Sequence, residues 1–168
     1  MSEHIHVYAD WQGLHKPQPV GVLESNRVRG NEIFNFSYNG GWLTSRHAQQ
    51  IDPHLHLYRG VQYNDDSDRN FKAFLDSCPD RWGRLLMQRR EAALAKQENR
   101  PRQTLQESDY LLGVHDHFRM GALRFKRDPA GPFLDNSERL TAPPVANLRE
   151  FEYAVTQIES NHDLDDPE

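Results

Sequence analysis

The sequence predicts an α+β fold, with a mostly antiparallel sheet of about four to six strands and flanking helices. The hydrophobic period supports this, because it is two residues in much of the first sixty positions and changes to helical spacing after residue 65. Turn residues separate the early segments, as in an antiparallel meander. Aromatic residues make up 10% of the chain, which is enough bulky apolar material for a folded core.

Four strands are predicted in the first sixty residues. Residues 4–9 and 33–38 alternate apolar and polar side chains, as in a strand with one buried face. Residues 20–25 give a strand between these two. The sequence Asn-Gly-Gly at 39–41 indicates a turn, because these residue types tolerate positive φ. Residues 54–58, HLHLY, give the fourth strand.

The longest helix is predicted to begin at Pro79 and to end before Pro101. Proline suits the first helical position, because the N–H it lacks would have no partner there. Gly83 costs about 1 kcal/mol relative to alanine inside a helix, so a glycine here indicates close packing against a neighbouring element. The apolar side chains share a stripe that we expect to be buried: Trp82, Leu85, Leu86 and Ala93.

Shorter elements are predicted on both sides of this helix. Phe71 and Phe74 share one face of a helix that precedes it. Thr104 and Glu107 match a capping box, which predicts a third helix from Leu105. Residues 120–125, MGALRF, give a last strand.

Three regions are expected along the chain. Residues 1–127 form the α+β domain. Residues 128–146 contain four prolines and one glycine and are predicted to be a linker. Residues 147–168 are predicted to be an amphipathic helix with an acidic end, leading into a further domain. The apolar stripe of that helix consists of Leu148, Phe151, Val155 and Ile158.

The bulk composition predicts a cytoplasmic protein without a membrane partner. The chain has 168 residues, a net charge of −5 and no basic N-terminal region followed by an apolar stretch. No run approaches the ~18 apolar residues of a membrane-spanning helix. The single cysteine, Cys78, excludes an internal disulfide and fits a reducing compartment.

Basic residues are concentrated in residues 81–102, where seven Lys or Arg and two Asp or Glu give a net charge of +5. Two interpretations remain open. The segment is a solvated helix face, or it is a contact surface for an acidic partner or nucleic acid. In the second case Arg81, Arg89 and Arg90 are the candidate surface residues.

The residue patterns that carry chemistry give no catalytic, cofactor-binding or metal residue. The chain lacks the GxxxxGKS/T, GxGxxG and GxSxG motifs. Cys78 is either a thiol whose pKa is lowered at a helix N-terminus or an inert residue beside the helix cap. Two imidazoles at i and i+2 share a strand face. Either they bind one metal ion together, or both simply face water. Three such pairs are present: His4 with His6, His54 with His56, and His115 with His117.

Five segments, in order, carry a resemblance to a known family. They are VYADWQG, VGVLES, FNFSYNGGWL, FKAFLDSCPDRWGRLLMQRR and ESDYLLGVHDHFRMGALRF. Together they resemble the N-terminal region of the HipA family, the toxin kinases of bacterial type II toxin–antitoxin systems. The resemblance covers roughly residues 5–126. Within them Pro79, Asp80, Gly83 and Arg84 are close to the family pattern. The resemblance implies a structural signature of the domain that consists of Pro79, Trp82, Gly83, Arg84 and Gly121.

This resemblance implies an accessory domain rather than a complete kinase. The ATP and Mg sites of full-length members lie further along their chains, so no cofactor is expected in this one. The implied role is to brace the kinase lobe and to contact a HipB-like DNA-binding antitoxin, with DNA involved only indirectly. The alternative is a stand-alone protein that binds a separate kinase chain in trans. A metal-dependent enzyme built on the histidine pairs is a third hypothesis.

Overall fold

A computed structural model describes residues 2–28, 30–64, 69–116 and 119–134. Five strands form one sheet in the order β4-β3-β2-β1-β5, and every neighbouring pair is antiparallel. The predicted α+β class is therefore confirmed. The strands are β1 (Ser2–Ala9), β2 (Gln18–Val28), β3 (Asn31–Tyr38), β4 (Val61–Tyr63) and β5 (Leu123–Lys126).

The helices are mostly short. They are α1 (Gly40–Leu43), α2 (Lys72–Leu75), α3 (Arg81–Gln97) and α4 (Glu107–Leu112). The core lies on the face of the sheet that carries Phe36 and Phe125, whose side chains are fully buried. Phe74 of α2 packs between them, with ring centroids 5.7 Å from Phe36 and 6.2 Å from Phe125. Strand alternation thus produces an aromatic core on one face only.

The fourth strand lies later in the chain than the sequence predicts. HLHLY at 54–58 is a loop, and Val61–Tyr63 pairs with β3 instead. The Gln62 side chain accepts from the backbone N–H of His56 at 2.8 Å and donates to its carbonyl at 2.9 Å. These are the backbone groups that a neighbouring strand would use. Of the two leucines in this segment, Leu55 is fully buried in the core and Leu57 is exposed, so the alternation does not mark a strand face.

Side-chain caps account for two further differences from the prediction. Asn39 caps α1, accepting from the N–H of Gly41 at 2.8 Å, so the Asn-Gly-Gly sequence begins a helix rather than a hairpin turn. At α4 the cap residue is Gln106, and Asp109 accepts from its N–H at 2.8 Å. That helix begins at Glu107 instead of Leu105.

Side-chain oxygens organise the loops that cover the core. Asp52 is 2% exposed and accepts from the N–H of His54 and from that of Ala73, both at 2.8 Å. The Tyr38 hydroxyl donates to the carbonyl of Leu55 at 3.0 Å. Buried backbone groups need such partners when no regular element supplies them.

Glu32 connects the sheet to helix α4. Its Oε1 accepts from the hydroxyls of Ser25 on β2 and Ser108 on α4, both at 2.5 Å. Its Oε2 accepts from the backbone N–H of Ser108 at 3.0 Å. Both serines are buried, and the carboxylate lies at the N-terminus of α4, where a negative charge is favourable.

Residues 128–134, the first part of the predicted linker, contact the sheet. The Phe133 ring lies 5.2 Å from that of Tyr8, with Arg124 stacked over it at 3.8 Å. The Leu134 N–H donates to the carbonyl of Phe125 at 2.9 Å. Residues 135–168 lie outside the described part of the chain. The domain boundary, the linker and the amphipathic helix therefore stay predictions.

Replacing Glu32 by alanine should lower the free energy of unfolding by about 2 kcal/mol, because it leaves two buried hydroxyls and a helix N–H without their acceptor. Urea denaturation followed by circular dichroism measures this. The control is Glu3→Ala, which removes an exposed ion pair with Arg127 at 3.2 Å and should cost less than about 1 kcal/mol. Equal effects of the two substitutions would contradict the structural role of Glu32.

Candidate interaction surface on helix α3

The first turn of α3 is fixed by a cap that joins Asp80 to the signature residue Gly83. Asp80 is the cap residue, and its Oδ1 accepts from the N–H of Gly83 at 2.8 Å. The helix begins at Arg81, so Pro79 precedes the cap instead of occupying the first helical position as predicted. Aspartate takes the cap position because its side chain reaches an N–H that the helix cannot satisfy internally.

Gly83 lies in that first turn, and its close contact is with the cap itself. A Cβ at this position would lie 2.7 Å from Cβ of Pro79 and 3.3 Å from Oδ1 of Asp80. The prediction of close packing is therefore right about the contact but wrong about the partner, since the neighbour is the proline ring rather than a sheet or another helix. Gly121, the other signature glycine, lies apart in the turn before β5 and has a φ of +88°, which favours glycine.

Arg84 joins the start of α3 to the start of α4. Its guanidinium donates two hydrogen bonds to Glu107, at 2.7 and 2.8 Å, and its Nε donates to the Pro79 carbonyl at 3.2 Å. It also lies over the Tyr110 ring, 4.5 Å from the centroid. The hydrogen bonds from Arg84 hold the pKa of Glu107 below its ordinary value of 4.5. A two-pronged bond of this kind fixes both position and orientation.

Three polar side chains attach α3 to α4 and to the segment before it. Gln88 donates to the Tyr110 hydroxyl at 2.7 Å, and Glu91 accepts from the backbone N–H of Gln103 at 2.9 Å. Arg84, Gln88 and Glu91 are spaced by four and three residues, so they share one helix face. Among the described residues of α3, Ala95 alone is fully buried.

Trp82 therefore points away from the domain, and the prediction that it fills a buried stripe is wrong. At about 100° per residue it lies roughly 200° around the helix from Arg84. Its side chain is 42% exposed, Ala93 is also exposed, and Leu85 and Leu86 are only half-buried. The face that carries the hydrogen bonds to α4 is the one that faces inward.

Trp82 lines an open groove of about 1070 Å³, which we call the Trp82 groove. Apolar atoms come from Leu75 and Leu85, and the cationic side chains of Arg69 and Arg81 lie beside them. Arg69 is 79% exposed and lies 3.5 Å from Glu107. The remaining lining residues are Asp80, Arg84 and Gln88. A tryptophan flanked by arginines is the residue combination enriched at the centre of protein interfaces.

The structure separates the three predicted surface arginines. Arg81 is exposed in the Trp82 groove, whereas Arg90 lines a second groove on another side of α3. Arg89 is half-buried. Part of the basic charge is neutralised within the domain, because Arg100 donates to Glu91 at 2.6 and 2.9 Å. Sequence reasoning missed Arg69, which comes from a different segment; only the fold places it beside α3.

Cys78 has the properties of an inert structural residue. It packs against the hydrophobic core, and burial raises the pKa of its thiol to about 12. Arg119 nearby is a partly buried cation that sequence analysis did not single out. It donates to the carbonyls of Leu111 at 2.7 Å and Val114 at 2.8 Å, and burial lowers its pKa to about 10. It remains charged at neutral pH and binds loop carbonyls.

The first two histidine pairs do not converge in the part of the chain that the structure describes, and His117 of the third pair lies outside the described residues. His4 and His6 lie on β1, and His4 is 3.0 Å from Glu24 on β2. His54 and His56 belong to a loop, so the two strands that would bring four imidazoles together are not both present. Within residues 2–28, 30–64, 69–116 and 119–134, no three potential ligands from His, Cys, Asp and Glu gather around one point.

Comparisons with known proteins leave the family resemblance untested. No family model matches the chain, and no curated protein matches it. Among the described residues, none of the helices combines the length and apolar character needed to cross a bilayer.

Replacing Gly83 by alanine should destabilise the protein by about 1 kcal/mol or more, because the added methyl overlaps the Pro79 ring. Helix propensity alone predicts the opposite sign, a gain of about 1 kcal/mol. The control is Ala93→Gly at an exposed position of the same helix, which should cost about 1 kcal/mol from propensity alone. Thermal unfolding measures both. A higher melting temperature for Gly83→Ala would contradict the cap contact.

Replacing Glu107 by glutamine should lower the free energy of unfolding by about 2 kcal/mol at pH 7, since the charged hydrogen bonds to Arg84 are lost. The pKa of Glu107 is lowered in the folded state from its ordinary value of 4.5. The carboxylate therefore contributes fully to the free energy of unfolding above pH 4.5, and this contribution is lost as the pH falls through the folded-state pKa. The difference between variant and parent should therefore shrink in acid.

Urea unfolding at several pH values between 7 and 3 measures this difference. The matched control is Glu98→Gln, which removes one carboxylate charge from an exposed position near the end of α3. A Glu107→Gln effect that stays constant with pH would exclude the ion pair as its source.

Proposed function

We propose that this chain is the accessory domain of a HipA-like Ser/Thr kinase toxin and that the Trp82 groove is its contact surface for a protein partner. The observation that carries the proposal is the outward position of Trp82 beside Arg81 and Arg69. Trp82 is 42% exposed, and tryptophan and arginine are the residue types enriched among those that contribute most to binding at protein interfaces. The partners that the family resemblance implies are the kinase lobe and a HipB-like antitoxin.

The construction of the groove supports a binding role. The Asp80 cap holds the first turn of α3, and the bond from Arg84 to Glu107 attaches that turn to α4. Trp82 is therefore presented from a rigid helix rather than from a loop, which lowers the entropy lost on binding. The arginines favour an acidic rim on the partner, which increases the rate and specificity of association.

ATP and Mg belong to the kinase domain in this proposal, and DNA is contacted only through the antitoxin. The alternative, a stand-alone protein that binds a kinase chain in trans, uses the same surface. The two differ in where the kinase motifs are encoded. In the first case they follow in the same reading frame, and in the second they lie in a neighbouring frame.

The test is association of the chain with the protein that carries those kinase motifs, measured by co-purification and by titration. Trp82→Ala and Arg81→Glu should each weaken binding by about tenfold or more, because they remove the central apolar anchor and reverse its flanking charge. Matched controls are Tyr63→Ala, an aromatic that is 69% exposed on β4, and Arg102→Glu, an exposed arginine beyond the end of α3.

Two results would overturn the proposal. The first is a loss of binding that is equal in the controls and in the groove variants. The second is tight binding of MgATP by the chain alone in calorimetry, since that would locate a nucleotide site in this domain.

A further inference from the structure

The two edges of the sheet differ in what covers them. At the β5 edge, the carbonyl of Phe125 accepts from the N–H of Leu134 at 2.9 Å, so the chain itself lies along that edge. Strand β4 forms the opposite edge. Within the described residues, no segment pairs with the outer side of β4. An uncovered edge of this kind is a template for a further strand.

The outward backbone groups of β4 belong to Val61 and Tyr63. In an antiparallel pair, successive residues direct their N–H and C=O groups alternately toward the neighbouring strand and away from it. Asn64 donates to the carbonyl of Phe34 at 3.2 Å, so the even-numbered residues are the ones that bond to β3. Val61 and Tyr63 therefore direct their N–H and C=O groups to the outside.

The side chains of the same two residues are apolar and exposed. Val61 is 52% and Tyr63 is 69% exposed, and strand alternation places both on the sheet face opposite the core residue Phe36. Ile33 on β3 and Val28 on β2 share this face and are 46% and 48% exposed. Apolar side chains that cluster at an uncovered edge indicate an interaction site rather than scattered surface residues.

The sequence of β4 lacks the features that usually keep two sheet edges apart. Residues 60–64, GVQYN, contain no Lys, Arg, Asp, Glu or Pro. Charged side chains and prolines are the common means of preventing edge-to-edge pairing. A charged strand placed here would lose water and find no opposite charge on β4, whereas the same segment of a second copy meets no repulsion. Charge therefore favours a second copy as the occupant.

The twofold arrangement also matches the geometry of the edge. An antiparallel pairing centred on Gln62 places Val61 of each copy opposite Tyr63 of the other. The residues with outward backbone groups then bond to each other, and none of these groups is left without a partner. An aromatic side chain opposite a β-branched one is a favourable cross-strand pair, and the symmetry forms this pair twice.

We infer that two copies of this chain associate through β4 in a twofold antiparallel pairing that joins their sheets. A strand of three residues buries less than the roughly 1,600 Å² of a standard interface, so the dimer is reversible and depends on concentration. The inference does not rest on the proposed function, because no residue of β4 lines the Trp82 groove.

Sedimentation equilibrium at protein concentrations from about 10 μM to 1 mM tests this inference. The average mass of the parent should rise from that of one chain toward that of two. Val61→Pro should weaken the dimer by about tenfold or more, because it removes one outward N–H from each copy. It leaves the bonds to β3 intact, and proline is tolerated at the first residue of an edge strand. Val61→Thr keeps the N–H and the β-branched shape, and should dimerise like the parent.

A second substitution decides the question if Val61→Pro unfolds the domain, which circular dichroism detects. Tyr63→Lys places a charge at the pairing edge and should also weaken the dimer by about tenfold or more. Its matched control is Met120→Lys, at a side chain that is 78% exposed in the turn before β5 and should not affect the dimer.

Two results would overturn the inference. The first is an average mass that stays at one chain over the whole concentration range. The second is a dimer that folded Val61→Pro or Tyr63→Lys variants form as tightly as the parent, since that dimer uses another surface. Binding to the kinase partner, in contrast, reports on the Trp82 groove alone, so the two proposals fail separately.

Discussion

The structure depends on one constraint, which is that a sheet with a single apolar face is covered by a chain with little regular structure. Helices α1 and α2 have four residues each and α4 has six. The loops between them place backbone groups next to a core in which water is excluded, and each such group needs a partner. Asp52, Gln62 and Glu32 supply those partners, so a few buried polar side chains replace the hydrogen bonds of longer elements.

The same principle explains why α3 is attached by its polar side. The inner face of this helix bonds to the start of α4 and to the segment before it, through Arg84, Gln88 and Glu91. Polar attachment leaves apolar side chains on the remaining faces, where Trp82 and Leu94 line separate grooves. Within the described residues, a helix held in this way exposes apolar side chains in two grooves, and the proposed partner surface is one of them.

Several features of this fold are local, and these were predictable. The alternation in residues 4–9 and 33–38 places apolar side chains on one face whatever the rest of the chain does. The sequence Pro-Asp-Arg-Trp-Gly marks a helix start, although the cap residue is Asp80 and not the proline. The HLHLY segment is not a strand because the side chain of Gln62, six residues beyond His56, forms hydrogen bonds with the backbone N–H and C=O of His56. Periodicity carries no information about such competition.

The sequence by itself determined the α+β class, the three long strands and the existence of a long helix after residue 79, because these follow from hydrophobic period and local capping. Only the tertiary structure decided the orientation of that helix. Arg84 finds Glu107, which is 23 residues away in sequence, and this pairing turns Trp82 outward and brings Arg69 beside it. Contacts between residues far apart in the chain decide which apolar face is buried, and the sequence pattern alone shows only that such a face exists.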